Sequence, residues 1–414
     1  MSTLDVQLRD EPIGTLVDGA RPGDYAFEYR AEIAAASPDE PLLSVSLPCG
    51  TQPFEPDAAR PFFEGLLPEG DIRERIARDI KVSSSNSFEL LARLGRDCAG
   101  AVVLLPAGER VDTSEQIEWL TRDDLAELIE QLPTNPLGVT GRGKLRLSLA
   151  GLQRKAVLVR RGDGTFGKPT ATHPSTHIVK PQYSDSDYED LVYNERFCMA
   201  VAAAAGLSVA QTEIVEIADR ACLLIERFDR TTEQGRTARV HQEDLCQALG
   251  VLPGVKYEAE GGPGLGAIAD LLRNESPRGG AEVLALLRAT ILNYVLGNSD
   301  AHAKNFSLLH GDILQLAPLY DIVSTTVYPS IDDSMAMAIG DNVDPGSLSG
   351  GDLYDLAEDC GLSYVELSRQ WTRFATVTLR AAEQVASEAR SAGWHRPIVD
   401  RILALARERA TRIA

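Results

Sequence analysis

The chain has 414 residues, enough for two or three packed units with ample core, and 44% hydrophobic with 25% charged residues is ordinary globular composition. A formal net charge of −20 argues against independent nucleic-acid binding, which demands clustered Lys and Arg, so any contact with DNA would need a basic partner. No uninterrupted apolar run reaches membrane-span length, the first residues lack a secretion signal, and six scattered cysteines without a C-x-x-C pair suit a reducing cytoplasm rather than a zinc ribbon or disulfide framework.

Residues 1–110 read as an α+β unit. Residues 5–8, 14–18 and 25–33 alternate or run apolar between turn signals, as strands do. Helical periodicity through Phe62, Leu66, Ile72 and Ile76 predicts one helix over 61–79, continuing to Ile80. Residues 85–94 predict a second helix, and 99–105 a short buried strand stopped by Pro106. Nothing in this unit has a catalytic pattern, so packing or partner contact is its expected role.

Residues 112–132 predict an amphipathic helix ended by Pro133, followed by a linker over 134–143. In 144–161, Leu145, Leu147 and Leu149 alternate, Ala150-Gly151 interrupts, and a strand resumes from Lys155 to Val159. Strand, small-residue turn, strand is how a kinase builds the flap over ATP phosphates, and Ser148 lies at the edge of that turn. Gly162, Gly164 and Gly167 satisfy G-x-G-x-x-G and nearly, with Lys168, a phosphate-cradling loop. Both motifs require a helix to begin there; Pro169 and the lack of a helical pattern make this a hairpin tip instead.

Lys180 follows an apolar strand over 176–181, and Glu195 lies on a helix predicted over 187–205. A strand lysine paired with a helix glutamate repeats the ion pair that holds ATP phosphates in kinases. Strands over 212–217 and 221–225 lead into Glu226-Arg227-Phe228-Asp229-Arg230, which stands where a kinase hinge would meet adenine. From Val240 the chain reads as almost entirely helical, with helices over 242–249, 267–273, 281–296, 353–357, 364–388 and 397–413.

The chemistry sits after the 281–296 helix, in Gly297-Asn-Ser-Asp-Ala-His-Ala-Lys-Asn-Phe306. Asp300 and Asn305 have the Asp-to-Asn spacing of a kinase catalytic loop, in which the Asp accepts the hydroxyl proton and the Asn holds magnesium. Two apolar runs, 306–310 and 313–317, form a hairpin turning on Gly311-Asp312 and deliver Asp321 where the second metal-site carboxylate belongs. Phosphoryl transfer needs positioning and charge neutralisation more than covalent chemistry, so these few groups suffice.

Taken together, residues 61–70 with Leu-Leu-Pro-Glu-Gly, Ser148-Leu-Ala-Gly-Leu-Gln-Arg-Lys155, Thr176-His-Ile-Val-Lys180, Asn194-Glu195, 226–230, His241-Gln-Glu-Asp-Leu-Cys-Gln247, 298–305 and Pro318-Leu-Tyr-Asp321 resemble the HipA family, serine/threonine kinase toxins of bacterial toxin–antitoxin modules. The resemblance covers essentially the whole chain. It implies an α+β, two-lobed, protein-kinase-like fold: a mixed β-rich N-terminal lobe with an extra α/β subdomain, and an all-helical C-terminal lobe. The divisions would be 1–110, 111–235 carrying the Ser148 loop and ATP-binding lysine, and 236–414 carrying the catalytic loop.

The roles it implies are Asp300 as catalytic base, Asn305 and Asp321 as Mg2+ ligands, and Lys180, with Glu195 as partner, neutralising phosphates. His302 and Lys304 would face the ATP phosphates, Ala150, Gly151, Gln153 and Lys155 would cover the nucleotide, and Glu226 and Phe228, with Tyr320, would complete the ATP site. Ser148 matches the family's autophosphorylated serine, whose modification expels the loop and switches the kinase off. The implied partners are a HipB-like helix-turn-helix antitoxin, operator DNA chiefly through that antitoxin, and an aminoacyl-tRNA synthetase as protein substrate. Arg154 departs from the family pattern, which is often acidic there. The competing readings are a catalytically silent corepressor, which would need none of Lys180, Asp300, Asn305 and Asp321, and a small-molecule kinase, which has no reason to carry the Ser148 flap.

Overall fold

The computed structural model describes residues 2–21, 23–109, 117–133, 154–169, 173–183, 188–233 and 236–412. The N-terminal part is built on an antiparallel sheet in the order Tyr25–Tyr29, Glu11–Asp18, Thr3–Leu8, Val102–Pro106. Leu4, Val6 and Leu8 point to one buried face, as a period of two requires. Leu16 pairs with Phe27 across the sheet, and Phe27 packs with Phe63 at 5.5 Å between ring centroids.

The second sheet runs Ile117–Trp119, Phe166–Pro169, Ala156–Arg160, His177–Pro181, Arg220–Glu226, Thr212–Ile217, every neighbour antiparallel. Alternation decides which way each residue of the His177–Pro181 strand faces. Val179 joins a core with Leu128 and Ile129 of the helix Arg122–Gln131. Ile178, one residue away, packs toward the C-terminal lobe, so Lys180 shares its face and meets the helix Leu191–Ala204.

In the C-terminal lobe the helix Gly279–Leu296 is surrounded by Leu265–Glu275, Tyr364–Ser391 and Pro397–Arg412. Its 18 residues have a mean hydropathy of 1.3, long and apolar enough to cross a membrane by composition, but 72% of it is buried by these neighbours. It is a core helix. The six cysteines are buried and unpaired.

Several elements differ from expectation. The strand at Tyr25 stops at Tyr29, and the alanine-rich Ala31–Ala36 is helical, as its propensity favours. The helix expected over 61–79 is two helices, Pro56–Gly65 and Gly70–Asp79, separated at Pro68, whose ring and missing N–H stop the first. The helix expected over 112–132 yields to a strand, Ile117–Trp119, and begins only at Arg122, after a Thr121–Asp124 capping box. The helix expected over 242–249 is reduced to Leu245–Ala248, because His241–Asp244 pairs with Ser307–His310. That strand and the expected hairpin, Ser307–His310 with Leu314–Leu316, form a three-stranded sheet within the helical lobe. Gly162 and Gly164 lie in the hairpin turn between Ala156–Arg160 and Phe166–Pro169, and Gly167 belongs to the second of these strands.

The segment 226–230 does more than connect the lobes. Arg227 donates to Asp229 (3.0 and 2.8 Å), to the Ser175 hydroxyl at 2.8 Å and to the Cys98 carbonyl at 2.9 Å. Arg230 donates to Asp97 at 2.8 Å and to the Gly100 carbonyl at 2.9 Å. All four charged side chains are buried. Burial works to raise the Asp97 carboxyl, but Arg230, Arg227 and Arg239 outweigh it and hold it below the usual carboxylate range. This network fastens the N-terminal sheet to the hinge. Asp97→Ala strands buried guanidinium groups, and the expected loss is about 3–5 kcal/mol of stability in urea unfolding; a loss below about 1 kcal/mol would contradict this assignment.

Candidate active site

The helix Gly279–Leu296 ends at Gly297, whose φ of 77° is the left-handed conformation of a C-terminal cap. The loop that follows is tied at Ser299, whose N–H donates to the Thr325 hydroxyl at 2.8 Å and whose Oγ donates to the Asp333 carbonyl at 2.8 Å. Asp300 is thereby presented at the surface of the cleft, its side chain exposed. One 3-10 turn, Ala303–Asn305, leads into the hairpin. Beyond the hairpin, Leu319 bridges in parallel to Val209, which brings the chain back to the second sheet at Asp321. Asp321 has a φ of 57°, a left-handed conformation that Asp adopts more readily than most side chains.

Lys180 is where three elements meet. Its Nζ lies 2.8 and 3.0 Å from the two carboxylate oxygens of Glu195 and 2.5 Å from Oδ1 of Asp321. Burial alone would lower the lysine pKa, but Asp321 and Glu195 overcome it and push it up, so the ammonium stays charged. Asn194, beside Glu195, clamps the segment after Asp321: its Nδ2 donates to the Ser324 carbonyl at 2.9 Å and its Oδ1 accepts from the Ser324 N–H at 2.8 Å. Lys155 is buried in the same pocket, and desolvation together with the Lys180 charge brings its pKa down to about 8.

Around Asp300, the Tyr257 hydroxyl donates to Oδ1 at 2.8 Å. Desolvation by the cleft walls raises the Asp300 carboxyl above its ordinary range, while the Tyr257 bond and Lys256 act in the opposite sense. His302 is buried, edge-on to the Tyr257 ring at 5.3 Å, and desolvation with the nearby Lys256 charge pushes its imidazole down to about 3. It is neutral at physiological pH. Lys304 is buried with its ammonium 2.8 Å from Asp244 and 3.5 Å from Glu69, so in this state its charge faces carboxylates. Asn305 is half-buried, with its N–H bonded to the His302 carbonyl at 2.9 Å.

At the hinge, Phe228 stacks on Tyr320 at 5.6 Å and 29°, while the Tyr320 hydroxyl donates to the Lys304 carbonyl at 2.8 Å. Glu226 is exposed and paired with His177 at the end of the sheet. Ser148, Ala150, Gly151 and Gln153 lie outside the described residues. Arg154, the departure from the family pattern, lies 5.4 Å over the Tyr183 ring, which Arg220 also covers at 4.8 Å.

Three residues of this region had no individual signal in the sequence. Glu69 comes from the N-terminal part and reaches Lys256 at 3.0 Å as well as Lys304, so that part contributes directly to the surroundings of the 297–306 loop. Lys256 and Tyr257 lie on a loop with no helix or strand periodicity. For Glu69 the available clues were its place in the Leu-Leu-Pro-Glu-Gly segment and the Pro68-Glu69-Gly70 break in a helical pattern, neither of which names its partners.

The HipA N-terminal domain matches residues 4–105, and the HipA-like C-terminal domain matches residues 147–392. A putative kinase of Sinorhizobium fredii is 41% identical over 374 residues, covering 88% of this chain and 87% of that protein. The serine/threonine-protein kinase toxin HipA of Shewanella oneidensis is 31% identical over 404 residues, covering 92% of this chain and 89% of the toxin. The chain belongs to the HipA family. The solved complex of Shewanella oneidensis HipA, HipB and operator DNA contains a chain that superposes with a TM-score of 0.84 at 28% identity, over 99% of this chain and 97% of that one. The α+β, two-lobed architecture is therefore that of HipA.

The buried histidines make stability depend on pH. His302 is held near 3, and burial and the neighbouring His310 keep His241 well below its ordinary value. An unfolded histidine titrates near 6.5, so the stabilisation from these two neutral rings is full above that pH and is lost as pH falls below it. Urea unfolding from pH 7.5 to 5.0 should lose about 1 kcal/mol per pH unit for each ring below pH 6.5. His302→Gln should flatten the slope by roughly half of that pair's share; an unchanged slope would contradict a neutral His302.

Proposed function

We propose that this HipA-family chain is an ATP-dependent serine/threonine protein kinase that acts as the toxin of a toxin–antitoxin pair. The observation that carries the reading is the Lys180 ammonium held between Glu195 and Asp321, which gathers the strand lysine, the helix glutamate and the hairpin aspartate of a phosphoryl-transfer site. In this reading Asp300 accepts the proton of the attacking hydroxyl, with its Oδ2 unengaged by Tyr257. Lys180 and Lys155 bind and neutralise the ATP phosphates, and anionic phosphates would restore full charge to Lys155. His302 and Lys304 support the catalytic loop beside the phosphates. Glu226, Phe228 and Tyr320 take the adenine end, while Ala150, Gly151 and Gln153 close over the nucleotide.

Asn305 and Asp321 offer an amide oxygen and a carboxylate, a hard donor set that suits Mg2+, which is commonly held by one or two protein oxygens together with phosphates and water. Bound there, Mg2+ would neutralise charge on the transferring phosphoryl group. Ser148 is the proposed autophosphorylation site and off-switch. A phosphoserine adds about −1.5 to −2 charges, which a pocket containing Glu195, Asp300 and Asp321 would repel.

The partners in this reading are a HipB-like antitoxin and, through it, operator DNA, with the chain serving as corepressor in the cytoplasm. Support comes from the Shewanella complex and from the net charge of −20, which favours a basic, DNA-bound partner. The proposed target is a translation protein of the aminoacyl-tRNA synthetase class.

Incubation of the full chain with Mg-ATP, followed by intact mass and phosphopeptide mapping, tests the reading. Phosphate should appear on Ser148, and Asp300→Asn should slow its incorporation by about a hundredfold or more. Ser148→Ala should remain able to phosphorylate its target. ATP binding without phosphate transfer in the native chain would favour the silent corepressor, and a main phosphosite elsewhere would remove Ser148 as the switch.

A further inference from the structure

Tyr257 is a half-buried tyrosine on a loop with no assigned task, yet its hydroxyl reaches the side chain on which the proposed chemistry depends. We propose that Tyr257 is the positioning residue of the catalytic base, holding the Asp300 carboxylate through Oδ1 so that Oδ2 is aimed at the incoming hydroxyl. The inference rests on the kinase reading above.

The contact is directional. Tyr257 Oη donates to Asp300 Oδ1 at 2.8 Å, at the usual distance of an O–H···O hydrogen bond. A carboxylate has two oxygens, so one can be anchored while the other stays available. An exposed aspartate without an anchor samples several rotamers, and a general base works only when it lies within hydrogen-bond reach of the proton it takes.

The tyrosine is itself held on both sides. Its ring is edge-on to His302, at 5.3 Å and 78°, and Lys256 lies 5.5 Å from its centroid. Lys256 is fixed by Glu69 of the N-terminal part at 3.0 Å. The loop closes on itself, with the N–H groups of Glu260 and Gly262 donating to the Tyr257 carbonyl at 3.0 and 2.9 Å. A Cβ at Gly262 would strike the Val255 and Tyr257 carbonyls, and one at Gly264 would strike the Glu258 carboxylate.

The same loop is tied to the base through the backbone. Glu258 donates its N–H to the Ala336 carbonyl at 3.1 Å and accepts from the Ala338 N–H at 2.6 Å, while Ala336 donates to the Ser299 carbonyl at 2.8 Å. Ser299 precedes Asp300, so donor and acceptor are set by one framework. Among the described residues, Tyr257, Lys256, Glu69 and Asp321 are titratable groups that act on Asp300. Among these, Tyr257 has the hydrogen bond.

Tyr257→Phe removes the hydroxyl and keeps the ring against His302. The test is the initial rate of phosphate incorporation from Mg-ATP into the full chain, followed by intact mass over a range of ATP concentrations, beside the native chain and Asp300→Asn. The maximal rate should fall about tenfold, the value of one hydrogen bond to a charged group. The half-saturating ATP concentration and the unfolding temperature should not change, which separates positioning from a collapse of the nucleotide site. An unchanged maximal rate overturns the role. A raised rate overturns it too, because the phenol would then be competing with substrate for the base. A loss seen only as weaker ATP binding would likewise exclude positioning. If Asp300→Asn keeps the native rate, the assignment of the base fails and takes the role of Tyr257 with it. If Asp300→Asn is inactive while Tyr257→Phe matches the native chain, the kinase reading survives and this inference alone is lost.

Discussion

An ammonium buried against two carboxylates is stable only while both stay in place, and Lys180 imposes that condition on three parts of the fold at once. Glu195 must be delivered by its helix and Asp321 by the hairpin, and the strand must keep its register so that Lys180 faces them rather than the core containing Val179. A slip of one residue would turn Lys180 into that core. The desolvation of the lysine is tolerated because Glu195 meets it with both oxygens while Asp321 supplies a third contact. Asn194 adds a neutral clamp on the segment that follows Asp321, which limits how far the hairpin can drift.

Among the polar links that couple the N-terminal part to this site, two are networks of buried or half-buried charge. The buried Asp97, Asp229, Arg227 and Arg230 join its sheet to the hinge, so the segment that leads between the lobes cannot move freely of it. Glu69 reaches the other side of the cleft and holds Lys256 and Lys304. Lys304, in the 297–306 loop, and Lys256, beside Tyr257, therefore share one carboxylate from another part of the chain. In the family reading this makes the extra subdomain a structural component of the catalytic loop, in addition to any surface it presents to a partner.

Electrostatics divides the cleft into distinct environments. Lys180 is kept charged by its carboxylates, Lys155 is lowered toward neutrality by burial beside it, and His302 is kept uncharged. In the proposed reading, two neighbouring ammonium groups of unequal basicity would suit a pocket for phosphates, since an arriving anion would compensate the costlier charge. The neutral ring of His302 lets it pack against Tyr257 without adding a further positive charge beside Lys256 and Lys304.

Much of the site was legible in the sequence because its chemistry is local. The Asp300–Asn305 spacing, the hairpin delivering Asp321, the strand carrying Lys180 and the helix carrying Glu195 are all short-range patterns, and the apolar periodicity of 281–296 and 364–388 marked the helices that support them. Local pattern misled where partners are distant. Residues 241–244 form a strand only because Ser307–His310 lies beside them, and 61–79 reads as continuous until Pro68 is weighed against the periodicity around it. The sequence by itself determined the family, the two-lobed organisation and the identity of the charged groups. Only the tertiary structure decided that Glu69 meets Lys304, that Arg230 meets Asp97 and that Tyr257 meets Asp300, because these pairs are joined by buried charge and hydrogen bonding across long stretches of chain, where neither periodicity nor spacing carries a signal.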